Sequence, residues 1–214
     1  SEKIDAELAR GEDGKVRCTF NIDNPLFREY HDREFGRPGK DDRRIFEKIC
    51  LEGFASGLSL ATALASRQRL REAFANFEID AVAKMGKKDI DALMKDGDMI
   101  QNRPKLDSVV NNATCAQKVI EDYGSLAAFV WSFEPDPASR PERIDLDHLQ
   151  KNASSSESER MAKTMKDRGW SYIGPTTAYA VMQGMGVVND HFEGCDFRDE
   201  CTKARETFKV PVRK

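Results

Sequence analysis

The chain has 214 residues, of which 33% are charged, and a mean hydropathy of −0.63. That length suffices for one domain with a sizeable core, and the absence of any run of 18 apolar residues excludes a helical membrane span. The net charge of −3 lacks the basic footprint of a tight non-specific DNA binder, so any nucleic-acid contact has to come from local segments.

In chain order, residues 1–15 are polar and read as a tail. A helical domain spans 16–195, and the highly charged residues 196–214 read as a mobile second tail. Within the domain, Asp41-Asp42 caps a helix expected to run to about Ser66. Further helical periodicity covers 67–76, 79–85, 88–95, 104–121, 124–132, 156–168 and 175–186. Strand-like alternation is nearly absent, which points to an all-α fold. Residues 134–155, with Pro135, Pro137, Pro141 and Asn152-Ala-Ser-Ser-Ser, read as a loop, with His148 at its surface. Five cysteines without a leader-like opening favour a reducing cytoplasm over a disulfide framework. Local charge is uneven: 121–147 carries seven acids against two bases, 151–168 five bases against three acids, and 101–118 three bases against one acid. The last two segments are the candidates for nucleic-acid contact.

Three features carry chemistry. Cys18 and His31 near the start, with a His191-x₃-Cys195 pair near the end, are four nitrogen and sulfur donors. They are sufficient to close a structural zinc site, although the same residues can also be unrelated core positions. Glu52 is the only charge in the 18 residues from Ile49 to Ser66 and flanks the apolar stripe of its helix. It is either an edge residue reaching water or a carboxylate buried for a purpose; Gly53, Ala55, Ser56 and Gly57 beside it leave room for a ligand or a second helix. The helix at 156–168 stops at Gly169, and a second helix opens at Gly174-Pro175-Thr176-Thr177. The unpaired amides of that opening make a phosphate seat, or the pair is an ordinary αα-hairpin.

Taken together, these residues resemble one family. Arg17-Cys18, Tyr30-His31-Asp32-x-Glu34, Phe46-x-x-Ile49-x-Leu51-Glu52-Gly53, Gly57-Leu58-Ser59, Asn102-Arg103-x-Lys105, Phe129-x-Trp131-Ser132-Phe133, Gly174-Pro175-Thr176-Thr177, Met182-Gln183 and Val188-Asn189-Asp190-His191-x₃-Cys195 are similar in order and spacing to DNA-3-methyladenine glycosylase I. The resemblance runs from Cys18 to Cys195 and implies an all-α helix-hairpin-helix glycosylase fold, with one structural zinc ion on Cys18, His31, His191 and Cys195. It further implies that Glu52 recognises the base, with Tyr30 orienting it, and that Gly174, Pro175, Thr176, Asn102, Arg103 and Lys105 contact DNA. Where the family keeps tryptophan or tyrosine around the base, this chain carries Phe20, Phe27, Phe35 and Leu60, an altered pocket with less cation–π capacity.

The expected activity is monofunctional hydrolysis of the N-glycosidic bond of alkylated purines such as 3-methyladenine in double-stranded DNA, by a monomer. A paralogue taking a different modified base, or a lesion-binding module with little activity, remains the alternative. Asp190 is open to two roles, a catalytic carboxylate or a partner of the neighbouring metal ligand.

Overall fold

The computed structural model describes residues 1–20 and 22–214. Among these described residues, three short strands, β1 (Glu2–Lys3), β2 (Leu8–Arg10) and β3 (Val16–Cys18), precede twelve α-helices. These are α1 (Pro25–Arg33), α2 (Asp42–Ala55), α3 (Leu60–Ala65), α4 (Arg67–Ala73), α5 (Ile79–Ala83), α6 (Lys87–Met94), α7 (Arg103–Tyr123), α8 (Leu126–Trp131), α9 (Leu146–Lys151), α10 (Ser156–Asp167), α11 (Pro175–Gly184) and α12 (Asp196–Thr207).

Helix α2 is the hub, packing against α3, α7, α8 and α11. Asp41 accepts from the Arg43 amide and caps α2, while the Asp42 carboxylate accepts from the amides of Leu126 and Ala127 and so caps α8. The two acids therefore lock two helix starts together. The core around α2 is built from Ile45, Phe46, Ile49, Phe54, Leu106, Phe129, Met161 and Met182, all nearly inaccessible to water. Among the described residues no helix is long and apolar enough to cross a membrane.

Four sequence expectations need correction. The helix from Asp42 ends at Ala55 rather than near Ser66: Gly57 adopts φ +78°, and Ser59 then caps a new helix, α3, by accepting from the Thr62 amide. The segment 134–155 contains α9, opened by Asp145 accepting from the His148 amide. The polar start of the chain forms an antiparallel sheet in the order β1-β2-β3, so the fold is mostly helical rather than all-α. The end of the chain is not a free tail. Helix α12 buries Phe197 and Cys201, and Phe208 packs its ring 4.7 Å from that of Trp131. Arg205 donates two hydrogen bonds of 2.8 Å to Glu134. Its charged residues hide a buried stripe too sparse for periodicity to expose.

Candidate active site and metal centre

Helix α1 sets the first wall. Asn24 accepts from the amides of Leu26 and Phe27, and Pro25 takes the first turn, where a missing N–H costs nothing. The i, i+3, i+4 spacing then puts Phe27, Tyr30 and His31 on one buried face. Tyr30 and Phe27 pack together with Phe35, Phe20 and Leu60, with ring centroids 5.6–6.2 Å apart where aromatic pairs meet. The five residues expected around the base thus form one cluster. Arg67 reaches back from α4 to both oxygens of Glu34 at 2.9 Å and fixes the end of α1.

Glu52 projects from the last turn of α2 and is 9% exposed, which resolves the sequence alternative in favour of burial. Its Oε1 accepts from Lys48 Nζ at 2.6 Å, and the same ammonium donates to the Tyr30 hydroxyl at 2.5 Å. Among the described residues no donor is bonded to Glu52 Oε2. Burial opposes the charge on Lys48, but the Glu52 carboxylate and Tyr30 overcome it and hold the ammonium above its ordinary value. Burial raises the Tyr30 hydroxyl, so it remains a neutral donor. Lys48 lies just outside the apolar run that marks Glu52, and its i, i+4 relation to Glu52 is visible in the sequence although its inward direction is not.

The four donors Cys18, His31, His191 and Cys195 are all buried, and their ligand atoms lie within 4.8 Å of one another. Cys195 Sγ is 3.6 Å from both His31 Nε2 and His191 Nδ1; the two nitrogens are 3.1 Å apart, and Cys18 Sγ is 4.0 Å from His191 Nδ1. A tetrahedral ion with metal–nitrogen and metal–sulfur bonds of about 2.0–2.3 Å has edges of about 3.3–3.8 Å, so the spacing suits one. Each imidazole is oriented from behind. His31 Nδ1 is 2.8 Å from Asp32 Oδ1, and His191 Nε2 is 2.7 Å from the Phe35 carbonyl. Both outer nitrogens must therefore donate, which turns two lone pairs inward on each other, an arrangement that a cation relieves. Asp32 is itself held by Arg17 at 3.0 Å. A hydrogen bond from Cys18 holds the Cys195 thiol far below its usual range, while burial and the adjacent thiolate push Cys18 up. The centre joins β3, α1 and the segment before α12. It also abuts the aromatic cluster, since Phe20 packs 5.7 Å from His31 and Phe35 5.0 Å from His191.

Helices α10 and α11 form the hairpin. Gly174 opens α11 without a side-chain cap, and Pro175 and Thr176 are exposed, so the first-turn amides face outward. Helix α7 clamps the turn: Asn112 accepts from the Ser171 amide and donates to its carbonyl, and Asn111 donates to the Gly169 carbonyl. Of the basic segment, Asn102 spends its side chain capping α7, and Arg103 pairs with Asp91 and Asp107. Lys105 is buried. Its ammonium donates to the carbonyls of Phe54 and Ser56 at 3.0 and 2.5 Å, closing the end of α2, which removes it from the expected DNA contacts.

Asp190 is buried away from any free edge. Tyr179 donates to it at 2.5 Å and Gln183 at 3.0 Å, and Arg140 pairs with its other oxygen. This full set of partners accounts for the residue as an anchor between α11 and the 134–144 segment, rather than as either of the roles left open by the sequence.

Comparison with known proteins agrees with this geometry. The model of the methyladenine glycosylase family matches residues 20–199. A DNA-3-methyladenine glycosylase of Haemophilus influenzae is 40% identical over 182 residues, covering 84% of this chain and 96% of that protein. DNA-3-methyladenine glycosylase 1 of Escherichia coli K12 is 35% identical over 179 residues, covering 84% and 95%. The crystal structure of a tyrosine-to-phenylalanine variant of 3-methyladenine DNA glycosylase I in complex with 3-methyladenine superposes with a TM-score of 0.77 at 28% identity, covering 85% of this chain and 97% of that one. On this fold, this site and these similarities, the chain belongs to the methyladenine glycosylase family.

Proposed function

We propose that this protein is a monofunctional base-excision glycosylase that hydrolyses the N-glycosidic bond of alkylated purines such as 3-methyladenine in double-stranded DNA. The observation that carries the reading is Glu52, a buried carboxylate with one oxygen unbonded among the described residues, placed with Tyr30 beside a cluster of three phenylalanines and Leu60.

A base inside a duplex must be everted first, at a cost of a few kcal/mol, and an alkylated base that pairs poorly lowers that cost. Phe20, Phe27 and Phe35 offer it apolar and π surface, and Tyr30 orients it. Glu52 Oε2 accepts hydrogen bonds from the base edge. Water then adds to C1′ of the sugar and releases a proton. The electron pair of the broken bond leaves with the base and cancels its charge, and an abasic site remains. Strand cleavage would need an uncharged amine as nucleophile. Lys48 and Lys105 are both committed, the first to Glu52 and Tyr30, the second to backbone carbonyls.

The four buried donors hold one structural zinc ion. Four protein ligands leave no open position for water, so the ion, when bound, supplies a clamp between chain ends and no step of the hydrolysis. Its inward-facing nitrogens and the Arg17–Asp32–His31 chain support this reading. The helix-hairpin-helix turn Gly174-Pro175-Thr176 seats a phosphate through backbone amides.

The test is the mass of bases liberated from methylated duplex DNA. The wild type is expected to release 3-methyladenine, and Glu52→Gln to lose at least roughly a hundredfold of that rate. A wild type that binds lesion DNA and liberates nothing would make the protein a lesion-binding module instead.

A further inference from the structure

Lys48 stands one helical turn before Glu52 and is buried, 5% exposed. Its ammonium touches both polar groups assigned to the base: Glu52 Oε1 at 2.6 Å and the Tyr30 hydroxyl at 2.5 Å. It also lies 4.3 Å from the centre of the Tyr30 ring, occupying part of the π attraction that ring could offer a ligand. The space for this chain is provided by α11. A Cβ on Gly184 would fall 2.2 Å from Lys48 Cε and 2.8 Å from the Tyr30 hydroxyl, so any larger residue there would evict the lysine. The other carboxylates nearby are spent, Glu34 on Arg67 and Glu47 on Arg71 and Arg43.

We propose that Lys48 is a specificity-determining residue: by cancelling the charge of Glu52, it makes this enzyme select bases through hydrogen bonding to the carboxylate rather than through their positive charge, and so admit electrically neutral modified purines alongside cationic ones. A lone carboxylate would attract a cationic base in a buried site strongly. The Lys48–Glu52 pair has no net charge, while Glu52 Oε2 keeps its acceptor lone pairs. Phenylalanine in place of stronger π donors acts in the same direction. Because Glu52 and Tyr30 favour its charged form, Lys48 does not become neutral at working pH. It acts through Glu52 and is a positioning and tuning group.

This inference rests on the glycosylase reading, and the test separates the two. Free 3-methyladenine, neutral at pH 8, and 3,9-dimethyladeninium, cationic at the same pH, differ by one methyl group where the sugar was attached. Their affinities are measured by nuclear magnetic resonance titration of the full chain, wild type and Lys48→Met. The expected result is that Lys48→Met shifts the cation-to-neutral affinity ratio toward the cation by roughly tenfold or more. A merely structural salt bridge would weaken both ligands alike and leave the ratio unchanged, which would overturn the inference. Should Lys48→Met not fold, Gly184→Ala carries the test: it retains the charge but displaces the ammonium, and it is expected to move the ratio in the same direction by a smaller factor. Loss of base release from methylated DNA by the wild type, with the ratio shift intact, would sink the glycosylase reading alone. Failure of every variant to bind either base would sink both.

Discussion

Two lysines decide how the site is held. Lys105 resembles a phosphate contact in the sequence because it follows Asn102-Arg103, yet its ammonium closes the open carbonyls of Phe54 and Ser56. Lys105→Met is therefore expected to cost about 2 kcal/mol, seen as a lower melting temperature, because those acceptors lose their donor. The slope of DNA affinity against salt should stay the same, since no phosphate contact is lost. Glu47, next to Lys48, is a second buried acid. Burial alone would raise its carboxyl, but Arg71 and Arg43 overcome that and hold it below 4.5. Its folded pKa is depressed, so its stabilising contribution is complete above pH 4.5 and is lost as pH falls through the lower folded value. Glu47→Gln should flatten the dependence of melting temperature on pH in that acid window. Glu52 was legible because it is alone in an apolar run. Lys48 was not singled out, because an i, i+4 pair on paper does not reveal that both members point inward.

At the scale of elements, the hairpin is the part most dependent on backbone. Gly174 has open space where a Cβ would go, and its φ of −113° suits any residue. Aspartate there would cap α11 and occupy the seat with a negative charge at once. Gly174→Asp is thus expected to raise stability by about 0.5–1 kcal/mol while weakening duplex binding more than tenfold, as read by thermal melting and fluorescence anisotropy. The two effects have opposite signs, so a general loss of folding cannot mimic them. The α10–turn–α11 layout was readable from Gly169, Gly174 and Pro175, because caps and breakers act locally. The break between α2 and α3 was missed because Gly57-Leu58-Ser59 sits inside an otherwise helical apolar pattern. The helix α9 and the short β-sheet were missed because neither carries enough apolar residues to set a period.

At the scale of the whole molecule, the buried Cys18, His31, His191 and Cys195 tie β3 and α1 to the segment before α12. With zinc bound there as proposed, a chelator is expected to lower the melting temperature by roughly 10 °C or more, and readdition of zinc should restore it. Elemental analysis of the purified protein should find close to one zinc per chain. The loss should extend to base release, because Phe20 packs on the His31 imidazole and Phe35 on that of His191. By itself the sequence determined the helical class, the four donors, the isolated carboxylate and the hairpin start. Each of these is set by residue type, by spacing within a turn, or by a resemblance carried by motifs in fixed order. Only the tertiary structure decided what the charges do. Lys48, Lys105, Asp190 and the ends of the chain take their roles from groups far away in sequence. Burial and pairing of a charge depend on which distant residue stands opposite, and local pattern holds no record of that.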